Sequence, residues 1–216
     1  MRKVMTGFAF AAALALCGGA AIAADQLLTG KKVLIKNPPS GTTNNKIVFL
    51  SKDTDVAIPG AAVEDPRCAP DGTATTGNAS AVLTVTGSPS GEDISIPLVC
   101  DNWTVNGAGN LFKYKDTSGA TCKIVLVKDG KLVKAVCKGT QVSYDLGAAE
   151  TNVNVVLRTG PSNRYCVSFN ASAPTSCTVT KDGSDGKTLL LKNCTGNALL
   201  CGASPSGAFV DGASLF

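Results

Sequence analysis

The sequence predicts an all-β fold: an antiparallel β-sandwich or barrel-like body of about twelve short strands, stapled by disulfides. Three observations predict it. Short runs of alternating or continuous apolar residues recur along the chain and are separated by clusters of Gly, Pro, Ser, Asn and Asp such as "NPPSGTTNN", "TGSPSGED", "KDTSGA" and "TGPSN". No stretch of 11–18 residues after the first 23 carries the 3.6-residue apolar period of a helix. Eight cysteines follow residue 23, and the chain contains no histidine to turn them into an ordinary zinc site.

The elements follow in order. "MRKVMTGFAFAAALALCGGAAIA" has a basic start, a short apolar run and a small-x-small end, so residues 1–23 read as a secretory leader cut before Ala24. The run is too short for a transmembrane anchor. Cys17 follows Leu16 rather than a small residue, which argues against lipidation there. Strands are expected at Lys32–Lys36, Lys46–Ser51, Ala81–Thr86, Ile94–Leu98, Leu111–Lys115, Thr121–Val127, Lys131–Cys137, Gln141–Leu146, Asn152–Arg158, Arg164–Phe169, Cys177–Thr180 and Thr188–Lys192. Residues 24–201 thus form one all-β domain, and 202–216 a flexible C-terminal tail. Lys-Asp recurs at four turns, beginning at Lys52, Lys115, Lys128 and Lys181. Lysine ending a strand and aspartate starting a turn account for this without a duplicated unit.

The segment "CKIVLVKDGKLVKAVC" fixes one crosslink. Asp129-Gly130 between apolar arms signals a hairpin, and a two-residue loop there pairs positions whose numbers sum to 259. Cys122 and Cys137 are such a pair, close enough for a disulfide. That register puts Cys122, Ile124 and Leu126 on one face with Val133, Ala135 and Cys137. "CTVTKDGSDGKTLLLKNC" repeats the pattern, with Cys177 and Cys194 flanking a hairpin and Cys166 and Cys201 outside it. Neighbour pairing, Cys166–Cys177 with Cys194–Cys201, is the alternative; the nested version is preferred. Cys68–Cys100 is what remains.

"GKKVLIKNPPSGTTNNKIVFLSKD", "NWTVNGAGNLFKYKD", "CKIVLVKDGKLVKAVCKG" and "VVLRTGPSNRYCVSF" together resemble a β-rich module that recurs in exported proteins of Gram-negative environmental bacteria. The resemblance covers most of the chain after the leader. It implies export and β structure, and no particular activity.

Composition excludes several chemistries. Without histidine, Ser-His-Asp and Cys-His catalysis and histidine-based zinc hydrolysis cannot be built. Neither a P-loop nor a dinucleotide fingerprint occurs, so no cofactor is expected. The leader holds two of the 20 basic residues, leaving 18 against 16 acidic ones, a charge of +2. So small a charge points neither to nucleic acid nor to an acidic membrane. No later run is long enough to span a bilayer. A terminal Phe216 is found in outer-membrane barrels, but one tryptophan and three tyrosines cannot supply aromatic girdles. "KDGSDGK" lacks the Asp-x-Asp-x-Asp order of a calcium loop, so no metal is expected. The sequons at Asn78, Asn102, Asn170 and Asn193 follow a bacterial-type leader and are read as unused.

Two function classes remain. The preferred reading is an exported, non-enzymatic binding or structural protein of the cell envelope or extracellular space, its partner a glycan or protein. Trp103, Tyr114 and Tyr165 are the candidate ligand platform, though a lone tryptophan in a β-sandwich is more often core. The alternative is a secreted carboxylate-dependent hydrolase. Only Glu64, Glu92 and Glu150 are available as glutamates, and Glu64-Asp65 and Glu92-Asp93 read as solvated loop charges.

Overall fold

The computed structural model describes residues 25–68, 74–119, 121–172, 175–197 and Cys201; the expected leader and tail lie outside these. The fold is all-β, with thirteen strands in two sheets among the described residues. One sheet has five strands, in the order β1 (Asp25–Leu28), β11 (Asn163–Asn170), β10 (Asn152–Thr159), β4 (Ala79–Ser88) and β5 (Asp93–Val99). The other has eight. Its order is β12 (Thr178–Asp182), β13 (Thr188–Lys192), β2 (Gly30–Lys36), β3 (Lys46–Ser51), β9 (Leu132–Lys138), β8 (Cys122–Lys128), β7 (Leu111–Tyr114) and β6 (Trp103–Val105). Every pairing is antiparallel except β1 with β11. Among the described residues no helix is long and apolar enough to cross a membrane.

Alternation builds the sandwich. Along β10, Val153, Val155 and Leu157 point inward; along β3, Ile47 and Phe49 do the same. The inner faces of both sheets merge into one apolar cluster. Phe49 of β3 meets Phe169 of β11 edge-on across the layers, with ring centres 6.2 Å apart. The chain passes from one sheet to the other between β1 and β2, through Thr29 alone. A Cβ on Gly30 would lie 2.7 Å from the Phe169 ring and 3.0 Å from the Cys194 sulfur, so the crossing requires glycine. Asp53 and Ser51 secure it, Asp53 accepting from the Thr29 amide at 2.8 Å and the Ser51 hydroxyl donating to the Thr29 carbonyl at 2.7 Å.

The β8–β9 hairpin departs from the expected register in one respect. Partners from Ile124↔Val136 to Lys128↔Leu132 sum to 260, so the loop has three residues, Asp129, Gly130 and Lys131. Gly130 takes φ +58°, and the Lys131 amide closes the turn on the Lys128 carbonyl. A bulge between Cys122 and Ile124 then absorbs one residue and brings Cys122 back opposite Cys137. The crosslink stands, but the inward face of β8 is Cys122, Val125 and Val127; Ile124 and Leu126 face outward. A one-residue shift of period-two structure exchanges the faces.

The segment Gln141–Leu146, expected as a strand, joins no ladder. Its alternation is real, since Val142, Tyr144 and Leu146 are fully buried. Side-chain amides replace the ladder: Asn45 donates to the Val142 carbonyl at 2.9 Å and Asn37 to the Tyr144 carbonyl at 2.6 Å. It is a strap between the sheets. Strands β1 and β6 carry too short an apolar pattern to stand out in the sequence. Among the described residues the disulfides are Cys68–Cys100, Cys122–Cys137, Cys166–Cys201 and Cys177–Cys194, the nested set.

Candidate functional site

The three aromatic candidates lie inside the protein. Trp103 and Tyr114 are paired across β6 and β7, with ring centres 5.3 Å apart at 62°, and are 4% and 1% exposed. Tyr165 is wholly buried, donates its hydroxyl to the Ala57 carbonyl at 2.9 Å, and is pushed up to about 12 by that burial. None of these rings offers an open face for stacking. The indole N–H of Trp103 is buried without a partner.

The glutamates separate into two groups. Glu64 is buried beside the β10–β11 turn, where its Oε2 accepts from the amides of Ser162 and Asn163 at 3.1 and 2.8 Å. Glu92 and Glu150 sit at the opposite end of β10. The Gly87 amide donates to the Glu92 carbonyl, Gly87 is opposite Val153, and Glu150 nearly adjoins the strand. Eight residues of strand separate the ends, about 24 Å at the usual rise. Glu64 and Glu92 therefore do not form a pair of the 5–10 Å kind that glycoside hydrolysis uses.

Glu92 and Glu150 instead converge on the strap. Tyr144 donates its hydroxyl to Glu150 Oε1 at 3.0 Å, and Glu92 Oε2 accepts from the Asp145 amide at 3.2 Å. Burial, reinforced by the Glu150 charge, raises the Tyr144 phenol well above its ordinary value. Glu150 is 2% exposed and its Oε2 has no partner. Tyr144 passes directly over Gly87, where a Cβ would lie 1.8 Å from the phenol oxygen. A cleft of about 320 Å³ beside the strap is lined by Asn37, Pro38, Thr42, Ser143, Tyr144 and Asp145.

The turn aspartates are all engaged by backbone amides. Asp53, Asp116, Asp129 and Asp182, the four Lys-Asp positions, each accept a backbone amide. Asp185 accepts from the amides of Lys187 and Thr188, both at 2.8 Å. Turn chemistry thus accounts for the "KDGSDGK" segment. Where three possible metal-ligand side chains meet among the described residues, two are the halves of a disulfide: Cys166 and Cys201 with Asp25, and Cys68 and Cys100 with Asp101. Disulfide sulfur is not the thiolate a metal binds.

A further feature was not found from sequence. The strands of the eight-stranded sheet hold 11 lysines and one acidic residue, Asp182. Ladder register sorts most of them onto the outer face. Lys36, Lys46 and Lys138 stand side by side across β2, β3 and β9. Two residues along lies an aliphatic row across five strands: Leu190, Leu34, Val48, Val136 and Ile124. Two residues further comes a mixed row holding Lys192, Lys32, Lys134 and Lys113. The aliphatic floor is about 19 Å long at the usual strand spacing, and the flanking rows are about 13 Å apart. The two ion pairs among the described residues, Arg67–Asp65 and Arg164–Asp25, involve none of these lysines. Lysines four positions apart, and so on one face of a strand, in "KVLIK" and "KAVCK" were the available signal, but only cross-strand register joins these positions into rows.

Fold and surface together define a disulfide-stapled, two-sheet β-sandwich with one cationic outer face. No family model, curated protein or solved structure matches the chain.

Proposed function

We propose that this is an exported, non-enzymatic binding protein of the cell envelope or extracellular space, and that its working surface is the outer face of the eight-stranded sheet. The observation that carries the reading is the cross-strand alignment of Lys36, Lys46 and Lys138 without a carboxylate partner among the described residues. Like charges directly opposite one another destabilise a sheet. Folding alone gives no reason to align them, whereas an anionic partner does. Four disulfides support an oxidising compartment, and the leader-like start supports the route to it.

The test has two parts. The protein released from the periplasm or medium should begin at Ala24 and show no free thiol on titration; most thiols free would overturn the export reading. Immobilised mature protein should be retained by an envelope fraction, and K36Q/K46Q/K138Q should lose most of that retention. Equal retention of both would remove the sheet face from the proposal. The hydrolase alternative now rests on Glu92 and Glu150; any hydrolysis by the pure protein that E92Q and E150Q each abolish would replace the binding reading.

A further inference from the structure

We infer that the occupant of this face is a linear acidic polysaccharide, a uronate-bearing chain lying across the strands along the aliphatic row. The inference rests on the proposed binding role of the face and names its partner. Charge complementarity selects a polyanion, because the lysines of β2, β3 and β9 recur at the strand spacing of about 4.8 Å and offer a regular line of ammonium groups. The shape of the face selects among polyanions. Leu34, Val48, Val136, Ile124 and Leu190 are all half-buried. Among the described residues the exposed large apolar ones are Val63 and Val179, neither of them on this row. The aliphatic floor therefore lies recessed between lysine rows and presents nothing that would insert among acyl chains.

Nucleic acid fits less well. Single strands are held by stacking on aromatic side chains, and Trp103 and Tyr114 in this sheet are buried against each other. A pyranose chain needs what the face has: a narrow apolar floor for its C–H surface, with ammonium groups on both sides for its carboxylates. The lysine stems extend that floor, since their methylenes pack over apolar surface while the charge stays in water.

The experiment uses the oxidised mature protein with four probes: polygalacturonate, the same polymer fully methyl-esterified, vesicles of equal parts phosphatidylcholine and phosphatidylglycerol, and a DNA duplex. Polygalacturonate should bind in low salt and weaken steeply as salt is raised, while the esterified polymer should not bind. K36Q/K46Q/K138Q should lose about tenfold or more in affinity, whereas R158Q, on the outer face of the five-stranded sheet, should lose less than about twofold. The triple variant should also melt about 1–2 °C higher, because removing aligned like charges relieves repulsion, so lost binding cannot be blamed on unfolding. Lysine-dependent binding to vesicles or DNA without binding to polygalacturonate would overturn the polysaccharide and leave the face as the working surface. No lysine-dependent binding to any charged probe, with envelope retention also unaffected, would overturn both.

Discussion

On the outer face of the five-stranded sheet, polar groups find partners within the sheet. Thr84 and Ser95 share a hydrogen bond at 3.2 Å across β4 and β5, and Ser168 donates to Asn152 at 3.1 Å across β11 and β10. Where two arginines fall opposite each other, Arg158 and Arg164, Asp25 of β1 makes a two-pronged ion pair with Arg164, both contacts at 2.7 Å. The eight-stranded sheet follows a different rule. Three lysines stand abreast, and no carboxylate of the described residues pairs with them. Both sheets bury similar apolar faces into one core, so core formation explains neither exterior. An outer face that satisfies itself serves stability and solubility. One that leaves like charges aligned carries a repulsion that core formation does not require.

The comparison can be broken at several points. The largest effect concerns whether the sheets act as one unit. C122A/C137A should lose roughly 3 kcal/mol of stability in guanidinium titration, the chain-entropy value for a loop of that length. Amide exchange should quicken in β10 as well as β9; quickening confined to β8–β9 would mean that the sheets open independently. Next comes Gly87→Ala, on the five-stranded side. Its methyl would meet the Tyr144 phenol at 1.8 Å, so the strap must shift, at about 1–3 kcal/mol. An unchanged melting temperature would show that the strap does not join the sheets.

Smaller and opposite in sign is Lys46→Gln, which should stabilise by about 0.2–1 kcal/mol. A loss of stability would mean that the lysine rows are balanced and the contrast between the sheets is false. The smallest effect is at the crossing. Burial pushes the Asp53 carboxyl up, but the amides of Asp55 and Thr29 outweigh it and hold it below the usual 3.8. Its folded value being depressed, its contribution is complete above the unfolded value and fades as pH falls through the folded one. Acid titration of D53N against the parent should therefore show a shallower loss of stability below about pH 4. Identical profiles would remove Asp53 from the crossing.

The sequence announced strands through alternation and turn residues, which are local, and eleven of the expected strand segments map directly onto observed ones. It misjudged features that depend on a partner elsewhere in the chain. The strap alternates like a strand, yet its carbonyls are claimed by Asn37 and Asn45 before a neighbouring strand can reach them. Alternation alone puts Ile124 and Leu126 on the face of Cys122, because a bulge at Lys123 leaves no mark on the alternation itself. At the candidate site the glutamates and aromatics were visible as residue types, but their burial and separation were not.

Taken alone, the amino-acid order determined the β class and the excluded histidine chemistries. It also carried the hairpin logic that joins Cys122 to Cys137, because turn preference and period-two alternation act between near neighbours. Strand order was decided only in three dimensions. A formal net charge of +4 could not reveal that 11 lysines gather on one sheet. The reason is physical: lateral neighbours in a sheet come from distant parts of the chain, so a row of charges exists only once the ladders have set their register.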